Sequence, residues 1–434
     1  VILSGIFAGL ACLSFILLLW QWLVASRFAG LHERIADKSF APAVSLLKPL
    51  KGCDATTAES LRSWFAQEYP GDVQILLGVA TAADPVCEIV RSLIREFPRR
   101  DAALVVCDES LGTNAKVSKL IQLQRLAKHA ILVLSDADVR VPPDLLVNVV
   151  IAFQSDSQHT TSENGSEEPQ GLGVRQSSGA FDVLGAVPKA PEDWRTPRRW
   201  RANQPAGLAN CFYRLANPTT LAMRWEAVAV NADFWSQVLQ ARSLRPLGFA
   251  LGAVMAVKRE ALEKVGGFAA LADYLADDYQ LGKKIARAGW RIELCPVVVE
   301  CWDPPGNWRA VWSHQLRWAR TIRVCQPVPY FLSILSNATL WPLVWLAVSP
   351  VTATVVIVAA MLIFRILAAM NLNHRLAQTR APGGFWWLVP MKDLLQTVIW
   401  LAAFAGNNIE WRGQRCQLSR DGKLVKIAGP RKSA

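Results

Sequence analysis

From Val1 to Val24 the chain is apolar except at Ser4, Ser14 and Gln21, and this run constrains the molecule more than any other feature. Crossing a bilayer's hydrocarbon layer takes about 20 helical residues, so residues 1–24 are expected to form one membrane-spanning anchor. A cleaved signal peptide is the competing reading, but no basic segment precedes the run and no A-x-A site follows it. Two later stretches, 330–348 and 351–370, are also long enough to span, with Ser349 and Pro350 as a tight connection between them. A third, 386–406, is interrupted by Lys392, Asp393 and Gln396, which shortens it to a re-entrant or interfacial length. Its flanks, 374–380 and 407–434, carry excess Arg and Lys, so both are expected on the cytosolic side and the third stretch is expected not to cross.

Composition agrees with a membrane setting, the apolar share of 52% and charged share of 19% both departing from soluble averages. A net charge of +12 suits several polyanionic partners. However, the basic residues sit beside the apolar runs, as with Arg27, Arg34 and Lys38, and again Arg412, Arg415, Arg420, Lys423 and Lys426. That placement reads as topology, and no nucleic-acid recognition motif appears, so no nucleic-acid partner is expected. The cysteines form no C-x-x-C pair and no metal-ligand rhythm with histidine, which points to reduced thiols and a cytosolic catalytic region.

Between residues 43 and 153 apolar strands alternate with helical patterns: strands at Val44 to Leu47, Val73 to Val79, Ala103 to Cys107 and Ala130 to Ser135, helices near 56–66, 85–97, 116–128 and 143–153. Continuous apolar strands in a βαβ rhythm predict a buried, mostly parallel sheet with helices on both faces. Residues 155–205 break the rhythm and read as a mobile insertion. Strands near 207–213, 249–257 and 291–301 and helices near 220–242 and 278–288 then complete the domain. From Trp308 to Arg323 the pattern is helical, with Trp308, Trp312, Leu316 and Arg320 four apart, as suits a membrane interface. The expected organisation is an anchor over 1–24, a cytosolic domain over 40–307 and an interfacial helix over 308–326. A membrane or re-entrant region over 329–406 and a basic tail over 407–434 follow.

Asp136-Ala137-Asp138 directly follows an apolar strand. Parallel sheets place ligands at the carboxyl ends of their strands, where two carboxylates can hold Mg2+ or Mn2+ against a diphosphate. Standing alone, D-x-D is equally a turn with a helix cap. Asp84 lies after another strand, placed to accept hydrogen bonds from a base or ribose, and Gly112-Thr113-Asn114-Ala115-Lys116 opens a helix where amides and Lys116 could meet a phosphate. Asp277-Asp278 stabilises a helix start in any case, but a carboxylate there could also deprotonate an attacking hydroxyl. In His314-Gln315-Leu316-Arg317-Trp318, Arg317 could pair with a phosphate and Trp318 wall a sugar or lipid; a snorkelling Arg in an aromatic belt is the plain alternative.

The ordered set Lys48-Pro49-Leu50-Lys51-Gly52, Asp84-Pro85, Asn114-Ala115-Lys116-Val117, Asp136-Ala137-Asp138-Val139-Arg140, Ala276-Asp277-Asp278-Tyr279 and Arg317-Trp318 resembles glycosyltransferase family 21, over roughly residues 1–425. That family holds ceramide glucosyltransferases and hopanoid-associated glycosyltransferases, within the wider family 2 class. The resemblance implies an α/β, Rossmann-like GT-A fold with transmembrane helices, an inverting mechanism, a UDP-sugar donor and a divalent cation. By position it places Asp84 near the uridine, Asp136 on the metal-diphosphate side, where Asp138 is read as the second metal ligand, and Asp278, beside Asp277, as the catalytic base. Lys48, Pro49, Asn114, Lys116, Arg317 and Trp318 are placed on the substrate side, as is His314, which stands where the family has Gln or Arg. The implied reaction carries glucose or N-acetylglucosamine to a hydroxyl of a membrane lipid such as ceramide or a hopanoid, at the cytosolic face of a bacterial inner membrane. Two rivals are a processive polysaccharide synthase, for which the spans are too few to line a channel, and a non-catalytic nucleotide-binding membrane protein.

Overall fold

The structure is a computed structural model that describes residues 2–29, 39–154, 204–378, 386–411 and 414–427. The expected insertion lies outside the described residues except at its last two positions, 204 and 205. Helix α1 (Ile2–Ala29) precedes the alternating series β1 (Val44–Pro49), α2 (Thr57–Phe65), β2 (Val73–Val79), α3 (Val86–Glu96), β3 (Asp101–Val106), α4 (Ala115–Leu126) and β4 (Ile131–Ser135). There follow β5 (Val139–Arg140), α5 (Leu145–Val150), β6 (Ala206–Leu215), α6 (Leu221–Val228), α7 (Trp235–Leu244), β7 (Val254–Lys258), α8 (Arg259–Lys264), α9 (Asp277–Arg287) and β8 (Arg291–Cys301). The chain closes with α10 (Trp308–Cys325), α11 (Pro327–Leu332), α12 (Leu340–Val348), α13 (Thr352–Leu376), α14 (Leu388–Phe404), β9 (Asn408–Trp411), β10 (Gln414–Leu418) and β11 (Leu424–Lys426).

Eight strands form one sheet in the order β3-β2-β1-β4-β7-β6-β8-β5. β1 pairs in parallel with both β2 and β4, and β2 with β3, while β7 runs antiparallel between β4 and β6. Strands β1, β2 and β4 are buried at every position, as helices on both faces require; the edge strand β3 is not. This is the mostly parallel α/β sheet that the sequence predicts. All four strand expectations between 43 and 153 fall within two residues of their observed starts.

Several expectations change. The stretch 249–253 is an irregular loop rather than the start of β7, and the single helix expected over 220–242 is α6 and α7 joined by a π-helical turn, Ala229–Phe234. On α10, Trp312 and Leu316 do not face outward but pack against the cluster of Trp225, Val311, Ile399 and Ala403; Trp308 stays exposed. Strands β9, β10 and β11 form a three-stranded antiparallel sheet where a basic tail was expected. Its buried side is Ile409, Cys416, Leu418 and Leu424, packed on Leu275 and Val324.

Two helices, Ile2–Phe28 and Thr352–Leu376, are long and apolar enough to cross a membrane. They meet through Phe15 on Phe364 and through a hydrogen bond from the Trp22 indole N–H to Asn371 Oδ1 at 3.1 Å. Their outward faces carry exposed Ile6, Ile16, Leu23, Val356, Ile363 and Leu367, as lipid-facing surfaces do. The segment expected to span over 330–348 is not straight: Pro327–Ser336 and Leu340–Val348 meet at a bend of 53°. Asn337 makes the break, its Oδ1 accepting from the backbone N–H of Thr339 and Leu340 while its Nδ2 donates to the Asp393 carbonyl. Helix α14 has 17 residues and buries Lys392 and Asp393.

Candidate active site

The carboxyl ends of β1 and β4 open on a cavity of about 1150 Å3, walled further by the loop before β7, the start of α9 and one side of α10. β4 ends at Ser135, and Asp136, Ala137 and Asp138 turn the chain into β5. That turn is fixed from two sides: the Trp302 N–H donates to the Asp138 carbonyl at 3.1 Å, and the Trp64 indole donates to the Val139 carbonyl at 3.0 Å.

Asn114 caps α4, its Oδ1 accepting from Lys116 N–H at 3.0 Å and Val117 N–H at 3.3 Å. The cap sets Lys116 in the first helical turn, where its Nζ lies 2.8 Å from Asp136 Oδ1 and 3.1 Å from Asp277 Oδ2. Burial alone would lower the Lys116 pKa, but Asp136, Asp277 and Asp278 outweigh it and hold the ammonium well above its ordinary value. The acidic loop is tied down by the same turn: Asn114 Nδ2 donates to the Tyr274 carbonyl at 2.8 Å, and Thr113 N–H donates to Asp273 Oδ1 at 3.0 Å. Gly112 permits this approach, since a Cβ there would stand 2.5 Å from the Ala272 carbonyl oxygen.

Asp277 and Asp278 thus differ. Asp277 is paired with Lys116, whereas Asp278 accepts a hydrogen bond from its neighbour's backbone, Tyr279 N–H, at 2.7 Å. Burial, then the charge of Asp277, raises the Asp278 pKa to about 6. Asp278 lies against the backbone of Gly252, where a Cβ would come within 2.6 Å of its Oδ2. Asp138 is raised to about 7 by burial and by the charges of Asp136 and Asp303.

The other expected site residues divide. Pro49, Arg317 and Trp318 line the cavity with Asp136, Asp138, Asp277 and Asp278. His314 lines it as well, with its Nδ1 2.7 Å from Glu226 Oε1, to which Gln315 Nε2 also donates. Lys48 and Asn114 are both completely buried. Lys48 donates to Ser135 Oγ at 3.0 Å and to the Asp136 carbonyl, so it braces β4 from beneath rather than reaching a ligand, and burial lowers its pKa to about 7. Asp84 stands outside the wall of this cavity. Its two oxygens accept from Gly52 N–H at 3.0 and 3.1 Å, and Gly52 is what lines it.

Sequence reasoning missed Asp303, Glu226 and Gly252. Asp303 follows the apolar strand β8, the same strand-end signal that exposes Asp136. Glu226 sits with Arg224 inside a mostly apolar helix, and nothing local marks it as a site residue. Also missed is a buried charge network at the membrane end of the cavity. Arg365 of α13 donates to Asp233 of the π-helical turn at 2.7 Å and to both oxygens of Asp393 of α14 at 2.9 Å. Lys392 pairs with the same two acids, and the Thr339 hydroxyl donates to Asp393 Oδ2. The two acids and two bases neutralise one another.

A sheet of this order, carboxylates gathered at its strand ends and helices able to cross a membrane together define a GT-A type protein with a membrane region. The model of glycosyl transferase family 21 matches residues 6–167 and 198–424, and the chain belongs to that family. Among its relatives, ceramide glucosyltransferase 3 of Caenorhabditis elegans is 21% identical over 261 residues, covering 60% of this chain and 46% of that protein. A ceramide glucosyltransferase of Candida albicans is 30% identical over 167 residues, covering 34% of this chain and 31% of that one. The matches thus span less than half the length of these relatives. A solved mannosyltransferase of Pyrobaculum calidifontis, in complex with GDP-Man and Mn2+, aligns with 93% of this chain and 98% of its own at 20% identity and a TM-score of 0.48.

Proposed function

We propose that the protein is an inverting glycosyltransferase that moves a hexose, glucose or N-acetylglucosamine, from a UDP-sugar to the hydroxyl of a membrane lipid of the ceramide or hopanoid kind. The observation that carries this reading is the single cavity holding Asp136, Asp138 and Asp278 at one end and residues of the bent membrane segment, such as Ile334 and Asn337, at the other. A nucleotide sugar and a lipid headgroup could meet there without either leaving its own phase.

Asp136 and Asp138 fit a hard divalent cation. Both are oxygen donors, and the Asp138 carboxyl, its pKa raised first by burial and then by the charges of Asp136 and Asp303, is a group that a nearby cation would hold ionised. Among the described residues no third metal-ligating side chain joins them, so diphosphate oxygens and water would complete the shell, as Mg2+ or Mn2+ commonly allows. When bound, the cation supplies charge neutralisation on the UDP leaving group. Lys116 adds a second positive charge beside Asp136, and Arg317 a third in the cavity lining.

In this reading Asp278 accepts the proton of the acceptor hydroxyl as that oxygen attacks the anomeric carbon, the bond to the diphosphate breaks, and the configuration inverts. A pKa near 6 keeps Asp278 largely ionised at neutral pH while making it a stronger base than an ordinary carboxylate. Asp84 acts through Gly52, shaping the loop after β1 on the uridine side. The α/β domain lies on the cytosolic side, a placement supported by the basic flanks and by nine cysteines that are all free. Purified protein in lipid nanodiscs, given UDP-glucose or UDP-N-acetylglucosamine with Mg2+ or Mn2+, is expected to release UDP only with a lipid acceptor and to yield one glycolipid. No product from any donor and lipid pair, or a ladder of polymers, would overturn the reading.

A further inference from the structure

We infer that the membrane end of the cavity is a recognition subsite for a group that both donates and accepts hydrogen bonds, a secondary amide or hydroxyl of the acceptor lipid. The inference rests on the transferase reading for the identity of the lipid, but the subsite itself is argued from two side-chain atoms.

Arg365 is 3% exposed and gives its Nε and Nη2 to Asp393 and Asp233. Its Nη1 is buried and has no hydrogen-bond partner among the described residues. Gln396 lies three residues after Asp393 on α14, hence on the same helix face, and its Oε1 is likewise buried without a partner. Both residues line the cavity that Asp278 lines at its other end. Buried polar atoms are nearly always paired, so two orphans of opposite character in one cavity wall mark a place where a ligand supplies the missing partners.

The chemistry of the orphans restricts that ligand. Arg365 Nη1 can only donate and Gln396 Oε1 accepts. A secondary amide satisfies both, through its carbonyl and its N–H, and a hydroxyl does so with one oxygen. An ester satisfies the arginine and leaves the glutamine unpaired, and sites built to hydrogen-bond reject analogues lacking the group. The surroundings suit a lipid. Leu18, Ile334 and Ala338 line the same cavity, and the net charge of Arg365, Lys392, Asp233 and Asp393 is zero, so the subsite has no charge to attract an anionic headgroup. The π-helical turn that presents Asp233 belongs to a class of irregularity often retained at functional sites.

The test is equilibrium binding of a fluorescent short-chain ceramide to the full chain in detergent, competed by unlabelled ceramide or by a diacylglycerol of equal chain length. Wild type is expected to bind ceramide at least tenfold more tightly than diacylglycerol. Gln396→Leu is expected to bring the two within about threefold by weakening ceramide alone, and Gln396→Glu, which keeps an acceptor oxygen, to retain most of the preference. A melting temperature for each variant shows that it is folded. Equal binding of the two lipids by wild type, or an unchanged preference in Gln396→Leu, overturns the subsite. Transfer assayed on the same samples keeps the readings apart, since lipid preference without any transfer counts against the transferase alone.

Discussion

Lys116 Nζ lies between two carboxylates that are far apart in the chain, 2.8 Å from Asp136 and 3.1 Å from Asp277. This one ammonium joins the end of β4 to the start of α9, so it orders the site and also neutralises it. Replacing it by methionine leaves two partly buried acids facing each other. Breaking such a pair costs about 3–5 kcal/mol when fully buried, and somewhat less is expected here because the Asp136 side chain is 41% exposed. Lys116→Met should lower kcat by about 100-fold, the scale for losing one preorganised charge donor, while Lys116→Arg recovers part of it. UDP release at saturating lipid is the measurement.

Asp278 carries two predictions of opposite sign. Asp278→Asn should abolish transfer and leave UDP affinity, read by calorimetry, nearly unchanged. The same variant should melt higher at pH 8. A carboxyl raised from 3.8 to about 6 contributes stability that is complete below pH 3.8 and lost as pH rises through about 6. Asparagine, always neutral, escapes that loss, about 3 kcal/mol for a shift of that size. A lower melting temperature for the variant at pH 8 would contradict the account of the raised pKa.

The pH profile of the wild type follows from the same group. The base must be ionised, so kcat is expected to fall about tenfold per pH unit well below pH 6 and to level off above it. Asp278→Glu, with any residual activity, should shift that limb. A flat profile between pH 5 and 7 would remove Asp278 from the proton transfer.

Much of this site is readable in the sequence because strand-end logic is local. An apolar strand followed by Asp-Ala-Asp places its acids at the sheet's edge whatever the rest of the chain does. The same logic misjudges Lys48, since a lysine at the end of a buried strand looks available until Ser135 and the Asp136 carbonyl are seen to receive it. Asp84 sits at its expected strand end, but its oxygens accept from Gly52 N–H, and it is Gly52 that lines the cavity. Glu226 and the Arg365 network were out of reach because their meaning lies in partners distant in the chain, 88 and 89 residues away for Glu226 and 132 for Arg365 with Asp233, though Lys392 and Asp393 inside an apolar stretch did mark the place. The sheet over 408–426 was masked by its charge: alternation of Ile409, Trp411, Cys416 and Leu418, with Asp421-Gly422 at the turn, was the signal.

Gly252 should be intolerant of any side chain. A Cβ would come within 2.6 Å of Asp278 Oδ2 and push the carboxylate out of place. Displacing a reacting group by about 1 Å commonly costs roughly 100-fold in rate, so Gly252→Ala is expected to lose that much kcat. The fold should survive, with a melting temperature near that of the wild type.

The small C-terminal sheet should matter to turnover although it lies outside the catalytic strands. Leu424 N–H donates to the Asp273 carbonyl at 2.7 Å, and Tyr274 bridges to Lys423, so β11 holds the loop that carries Asp277 and Asp278. Truncation after Gly406 is expected to speed amide exchange over 272–279 while leaving β1, β2 and β4 protected, and to lower kcat by about tenfold if the loop spends most of its time displaced.

With a lipid as the acceptor, as proposed, the cavity's reach from the strand ends to the break at Asn337 sets the dimensionality of the chemistry. Such an acceptor, arriving along the bilayer, keeps its hydrocarbon tails solvated by other tails, and the about 0.8 kcal/mol per methylene that extraction into water demands never arises. Encounter is then a search over a surface. Velocity should scale with the mole percent of acceptor among surrounding lipids, and diluting vesicles in buffer at constant lipid ratio should leave the rate per enzyme untouched.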